Sequence, residues 1–379
     1  MQQRHLFPKH PVLDSATKFD SRSYGFWLLK GVATWRRVDS FQFFSFSFLL
    51  FTFLLSPIAA KASDITQQLH RPLSSSSWQQ SRDKADSLLR IGEQQYKSGR
   101  ADKTIDSCLQ ALEIYHSISD YRATGLTYDL LAKAYIQQER YKEGEDALRK
   151  RLAIARDTKD FQAQIFGLNN IAALLLQEGE TVAAGSTIQE ALKIAQDVKS
   201  IEGQGLSLSN LGLVTARLGD YNKAIKIYET ALTYRRQKGD AIGEANTLNN
   251  LGDAYLAAGN YQDTIGTYGA AMRMAKMNGD RTNQLRAIDG LVKAHSSVGR
   301  NERAFELLQQ RLILAQELQN LPEQLKSFES YAQLYENLGN YSTARNFYER
   351  AIAIAQTLEY TQQELVLKDR LTKLHKKRN

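Results

Sequence analysis

Residues 205–236 read GLSLSNLGLVTARLGDYNKAIKIYETALTYRR. One apolar stretch runs from Leu206 to Leu218, the pair Gly219-Asp220 interrupts it, and a second runs from Tyr221 to Arg236. Within both stretches apolar residues recur at three and four, which is helical spacing. Gly219 suits the left-handed position that ends a helix, and Asp220 suits the N-cap of the next. The passage therefore predicts a helix, a tight turn and a second helix.

The same order returns every 40 residues. A small residue stands at Thr104, Gly144, Ala184, Ala224, Thr264, Ala304 and Ala344. A turn glycine stands at Gly99, Gly179, Gly219, Gly259, Gly299 and Gly339, with Glu139 breaking the series. Apolar ladders keep step at Ile91, Leu131, Ile171, Leu211, Leu251, Leu291 and Tyr331, and at Cys108, Leu148, Ile188, Tyr228, Tyr268, Leu308 and Tyr348. Capping residues keep step too: Asp120, Asp160, Ser200, Asp240, Asp280 and Asn320 before each first helix, and Asn260 and Asn340 at the inner turns. Ungapped repetition at such a period marks a solenoid, in which no unit buries its apolar face alone. A coiled coil or an ordinary helical bundle does not account for glycines and caps at a fixed interval.

The unit resembles the tetratricopeptide repeat, a family that pairs antiparallel helices and keeps small residues at its eighth, twentieth and twenty-seventh positions. Counting from Gly205, the eighth position here reads Gly92, Ala132, Ala172, Gly212, Gly252, Val292 and Ala332, and the twenty-seventh reads Ala111, Arg151, Ala191, Ala231, Ala271, Arg311 and Ala351. The aromatic residue that opens the second helix appears as Tyr141, Tyr221, Tyr261 and Tyr341. The period of 40 exceeds the family's usual 34, and the usual proline after the second helix is replaced by His116, Arg156, Gln196, Arg236, Lys276, Gln316 and Gln356. Both departures imply longer helices, similar to those of kinesin light chains and related adaptors. Arg151 and Arg311 stand where a small residue is expected, which puts the packing of the second and sixth units in question.

The chain thus divides into an address (1–62), a flexible tether (63–83) that contains Ser74 to Ser77 and an exposed Trp78, seven repeats (84–359), and a capping helix with a basic tail (360–379). The expected fold is an all-α solenoid whose last helix carries a polar outer face. The address is read from Arg36-Arg37, the apolar run Phe43 to Leu55, and the exit Ala60-Lys61-Ala62, which together form a signal peptide with a long leading region. The run is shorter than the ~20 residues a spanning helix needs. Counted out to Ala60, a retained anchor is the alternative. The expected location is the periplasm or the thylakoid lumen.

Charge and chemistry narrow the function. The whole chain carries a formal net charge of +8, but residues 1–62 hold eight Lys or Arg and three Asp or Glu, so the remainder keeps a net of only +3. That is poor support for nucleic-acid binding. Cys108 is the single cysteine, so no internal disulfide forms, and its apolar ladder makes it a core residue. No phosphate-binding loop, zinc-protease motif or nucleophile elbow is present. The six histidines are scattered, and His295 takes a position where other units carry Tyr135, Tyr255 and Tyr335. No catalytic residue, cofactor or metal is expected. Surface carboxylates such as Asp253 and Asp289 are a weak basis for catalysis.

What remains is a surface. Stacked repeats curve, with the first helices on the inner side. In the long-repeat adaptors that the unit resembles, paired asparagines of that helix hold a partner's extended backbone. The matching fifth and sixth positions are Asn169-Asn170, Ser209-Asn210 and Asn249-Asn250, and an amide offers both a donor and an acceptor to peptide groups. Arg217, Asn246, Asp253, Arg286, Asp289 and Lys293 add charge and polarity beside them. The expected function is a non-catalytic scaffold that binds a protein or peptide segment in the groove. The alternative is a membrane-tethered assembly factor, attached only through the N-terminal segment. The bland reading of the asparagines is that they are solvated or support helix packing.

Overall fold

Each 40-residue unit folds as two helices joined by a three-residue turn. The computed structural model describes residues 75–378, so the address and positions 63–74 of the tether lie outside the described residues. The pairs are α1 (Ser75–Lys97) with α2 (Ala101–Ser117), α3 (Tyr121–Gln137) with α4 (Tyr141–Asp157), and α5 (Phe161–Gln177) with α6 (Thr181–Asp197). Next come α7 (Ile201–Arg217) with α8 (Tyr221–Lys238), and α9 (Ala241–Ala257) with α10 (Tyr261–Met277). Then α11 (Arg281–Ser297) pairs with α12 (Asn301–Glu317), α13 (Leu321–Asn337) with α14 (Tyr341–Thr357), and α15 (Thr361–Arg378) stands last. Among the described residues there is no strand.

The caps form as the sequence predicts. Asp120, Asp160, Ser200, Asp240, Asp280 and Asn320 each accept from the backbone N–H three residues on, as do Asp220, Asn260 and Asn340 at the inner turns. Each cap satisfies a donor that the helix leaves unpaired and contributes about 1 kcal/mol. Gly219 ends α7 at φ +88°, and Glu139, where the glycine series breaks, is held in the same left-handed region at φ +59°. A side chain there is strained.

The small positions are helix contacts. Ala184, Ala224, Ala304, Ala344 and Thr264 are all completely buried. Size is traded within a unit: a Cβ added to Gly252 would stand 2.8 Å from the ring of Tyr268, so the glycine makes room for that buried tyrosine. First helices of successive pairs pack on one another, α1 on α3, α5 on α7, α7 on α9 and α9 on α11, whereas no two second helices pack so extensively. The second helices therefore fan outward, and the first helices line the inner side.

Three joints lack that extensive first-helix contact, α3 with α5, α11 with α13 and α13 with α15; the first two have an arginine at the twenty-seventh position of the intervening second helix. Arg151 donates to Asp129 at 3.1 Å. Arg311 is wholly buried, and all five of its N–H groups find acceptors. These are both carboxylate oxygens of Asp289, the carboxylate and backbone carbonyl of Glu323, and the hydroxyl of Ser327. The departure from small residues is thus accommodated by a wedge that bridges α11 and α13.

The ends differ from expectation. The tether boundary at 83 is too late, because α1 begins at Ser75. Serine is a poor helix former, but packing overrides it. The Trp78 indole N–H donates to the carbonyl of Ile118 at 3.2 Å, Arg82 lies 5.5 Å from the indole ring, and Arg82 pairs with Asp120 at 3.0 Å. Trp78 is therefore tied to the end of α2, while it stays exposed at 39% as the sequence predicts. At the other end α15 buries Leu367 and Leu374, but it leaves Leu365 57% and Val366 41% exposed, so its outer face is not wholly polar.

Candidate functional site

The second, sixth, ninth and thirteenth positions of the first helices share the inner face, since helical residues three and four apart are neighbours. At the sixth position stand the amides Asn170, Asn210 and Asn250, one per successive unit. Their exposure falls from unit to unit: Asn170 is exposed, Asn210 half-buried and Asn250 buried. Asn170 has no hydrogen-bond partner among the described residues. It borders a 390 Å³ cavity with Lys133, Phe166 and Ala173, and Lys133 likewise has no ion pair there. Asn210 donates to Asn169 Oδ1 at 2.8 Å.

The fifth-position residues do not face the groove, and this corrects the expectation for Asn169 and Asn249. Both are buried and spent on joining units. Asn169 Nδ2 donates to the Ser207 hydroxyl at 2.9 Å and to the Ile165 carbonyl at 2.8 Å. Ser209 and Thr247 share a hydroxyl contact at 2.7 Å. Asn249 Nδ2 donates to Asn283 Oδ1 at 3.0 Å and to its carbonyl at 3.1 Å. Asp289 reaches Ser327 through Arg311, and Glu329 accepts from Gln363 of α15. A polar seam thus runs from unit three to the last helix. Buried polar groups are mostly paired; the Asn249 Oδ1 is an exception with no partner among the described residues, but the other bonds across the joints fix how each unit is rotated on the next.

The charged flank is also largely engaged. Arg286 donates from Nη1 to Asn246 at 3.0 Å, and from Nη2 to Asn250 at 2.6 Å and to Asp253, so one guanidinium gathers three acceptors from the preceding unit. Asp253 in turn accepts from the hydroxyl of buried Tyr268. Burial, reinforced by Asp253, pushes that hydroxyl's pKa upward, so it remains a donor. Arg217 donates to the carbonyl of Leu176 at the end of α5. Lys293 is exposed, beside Asp289 and Lys326 in a 290 Å³ cavity. Burial alone would raise the Glu323 carboxyl, but Lys326 and Arg311 outweigh it and hold it below the usual range.

An apolar half of the groove escaped the sequence reading. After Asp86 in unit one, the second position reads Leu126, Phe166, Leu206, then Asn246, Arg286 and Lys326. Leu126 is 50% exposed, while Phe166 and Leu206 are half-buried. The change from apolar to polar midway was readable from the 40-residue ladder. Among the described residues no group of three or more His, Cys, Asp or Glu is placed to hold a metal ion, and no helix is long and apolar enough to cross a membrane.

A family model described as tetratricopeptide repeat matches residues 83–157, 164–237, 203–277 and 243–317, and a second model of that description matches 325–357. No curated protein is similar enough to count as a relative. In fold the chain is similar to the apo form of RapI, at 14% identity over 73% of this chain and 99% of that one, with a TM-score of 0.58. It is similar to a signal-transduction ATPase with a tetratricopeptide repeat sensor from Pyrococcus horikoshii, at 19% identity over 77% and 44% of the two chains (TM-score 0.56). It is also similar to a Rap protein complexed with competence and sporulation factor, at 14% identity over 78% and 98% (TM-score 0.51). At these identities the likeness concerns the fold.

Proposed function

The chain belongs to the tetratricopeptide repeat family, and from that premise we propose that it is a non-catalytic scaffold holding a segment of another protein along its first-helix groove. Solenoids of this family are protein-interaction scaffolds, and a Rap protein of similar fold was solved with competence and sporulation factor bound. The observation that carries the reading is the open end of the amide row. Asn170 is exposed with no partner among the described residues, and it lies beside Phe166 and Lys133 in the 390 Å³ cavity. An amide there serves a partner's peptide group, Phe166 receives an apolar side chain, and Lys133 receives a carboxylate. Toward unit six the Arg286 cluster replaces that open amide with a closed polar patch. The partner segment therefore anchors over units two to four, with Arg217 and Lys293 at its far side.

The test compares Asn170→Ala and Phe166→Ala with Gln237→Ala, a change on the exposed face of α8. Partners are cross-linked in the source cells, and circular dichroism first verifies the fold. Loss of one hydrogen bond of about 1 kcal/mol weakens capture roughly fivefold. Loss of the Phe166 ring weakens it at least as much. If both groove variants capture the same partners as strongly as the Gln237 control, the groove is not the site. We also propose that residues 41–62 direct export of the chain.

A further inference from the structure

Among the described residues the buried tyrosines are Tyr115, Tyr228, Tyr268 and Tyr348. Three of them give their hydroxyl to a carboxylate. Tyr115 donates to Asp86 at 2.6 Å, Tyr348 to Glu336 at 2.9 Å, and Tyr268 to Asp253. Tyr228 is 1% exposed, and its hydroxyl has no hydrogen-bond partner among the described residues. The sequence gives the reason. Tyr228, Tyr268 and Tyr348 share the twenty-fourth position of their units, and their acceptors stand at the ninth position for Tyr268 and the twelfth for Tyr348. In unit four those positions are Leu213 and Ala216. The unit keeps the tyrosine and lacks the carboxylate. A buried polar group without an acceptor is costly, and such groups in native folds are few.

The hydroxyl belongs to the groove. The Tyr228 ring lies against Gly212, where an added Cβ would stand 2.6 Å from it. Tyr268 follows the same course past Gly252 and ends at Gly290 of the next unit, where an added Cβ would overlap its ring. The residue one repeat before Gly290 is Asn250, a sixth-position amide. Burial, then Asp253, push the pKa of the Tyr228 hydroxyl upward, against Arg286 and Arg217, so it stays a donor. The charges beside it leave an excess cation. Asp253 is counted, and its two oxygens accept from Tyr268 and Arg286, so Arg286 offsets it. Arg217 is exposed, donates to the Leu176 carbonyl and has no ion pair among the described residues. Asn250 gives its oxygen to Arg286 at 2.6 Å, which leaves its N–H groups as further donors.

We propose that Tyr228 is a specificity-determining residue of the groove, and that its hydroxyl, with Arg217 beside it, takes the side-chain carboxylate of a glutamate in the bound partner segment. That carboxylate is the acceptor unit four lacks. The proposal rests on the groove reading and names what the segment carries. The segment continues past unit four on the side of Asn170, so the carboxylate comes from a side chain within it. The hydroxyl sits below the surface, which favours the longer Glu over Asp.

The probe is a short glycine-serine peptide, acetylated and amidated at its ends, with one central Glu, set against the same peptide with Gln. Each is titrated into the whole chain, isotope-labelled at tyrosine rings and asparagine amides. The Glu peptide should move the Tyr228 ring signal and bind about tenfold more tightly than the Gln peptide, the factor for one hydrogen bond to a charged group. Tyr228→Phe removes only the oxygen. It should abolish the preference while its urea midpoint stays at or above that of the parent, because no internal bond is lost. Tyr268→Phe, which takes a donor from Asp253, should lower the midpoint. Arg217→Gln should reduce the preference several-fold, and so should added salt. The proposal is overturned if the two peptides bind alike, if Tyr228→Phe keeps the preference, or if Tyr228→Phe lowers the midpoint as Tyr268→Phe does. It is equally overturned if acetate, phosphate or a Glu-free peptide with a free C-terminus moves the Tyr228 signal at the same concentration, which would assign the site to a free anion or a chain end. The groove reading fails separately, at the Asn170 amide, which should respond to both peptides.

Discussion

Arg311→Ala restores the residue that Ala111, Ala191, Ala231, Ala271 and Ala351 place at the matching position, and on repeat pattern alone it should be harmless. The structure requires the opposite. The guanidinium is completely buried and gives five hydrogen bonds, two of them to Asp289 and one to the Glu323 carboxylate. Removing one partner of a buried pair costs about 3–5 kcal/mol, because the other charges stay uncompensated. The Asp289 and Glu323 side chains keep 32% and 20% exposure, so water offsets part of this and the lower end, about 3 kcal/mol, is expected. Helix propensity does not reverse the sign, since Ala and Arg are both good formers. Repeat arrays behave as chains of neighbours, so the loss should be local. In hydrogen exchange read by mass spectrometry, α13 to α15 should lose protection while α1 to α8 keep theirs, and urea unfolding followed by circular dichroism should show an early step. Arg311→Lys should recover only part, because one ammonium cannot span the fork. Arg151→Ala should cost about 1 kcal/mol or less, since its ion-pair partner Asp129 is partly exposed. A parent-like or higher urea midpoint for Arg311→Ala would refute the wedge.

Ala224→Glu should destabilise strongly, since the site has no exposed surface and must admit a charge; exposed Gln237→Lys should do little, and equal melting temperatures would contradict the register. His295 is held below its ordinary value by burial and by Arg300 and Arg303, and its Nδ1 has no hydrogen-bond partner. Its contribution is therefore full above the unfolded value of about 6.5 and is lost as pH falls from there through the lower folded value; urea midpoints should drop across that window, less so in His295→Gln, and parallel profiles would refute this. Burial pushes the Cys108 thiol up to about 12, so N-ethylmaleimide should label it only after urea unfolding; rapid labelling of the folded chain would count against it. The mature chain should begin at Ser63; intact residues 41–62 in a membrane fraction, seen by mass spectrometry, would favour a retained anchor.

Sequence alone determined the features that act within a few residues. A cap reaches its N–H three residues on, and a turn glycine answers to its own φ, so Asp220, Gly219 and their counterparts were readable without any fold. The repeat period added the rest of the architecture, because apolar and small ladders in phase leave helix-pair stacking as the way to bury them all. The groove was legible only in part. The sixth-position amides Asn170, Asn210 and Asn250 stand 40 residues apart at one helical register, but the fifth-position Asn169 and Asn249 differ from them by one residue, about 100° around a helix. Whether that rotation points outward or into the next unit depends on the angle at which two first helices cross. That angle is a tertiary quantity. It is set by partners 34 to 41 residues away, such as Ser207, Asn283 and Asn210, and by what Arg311 puts into its joint. No local pattern encodes it, so the seam and the arginine wedge were decided only when the units stacked.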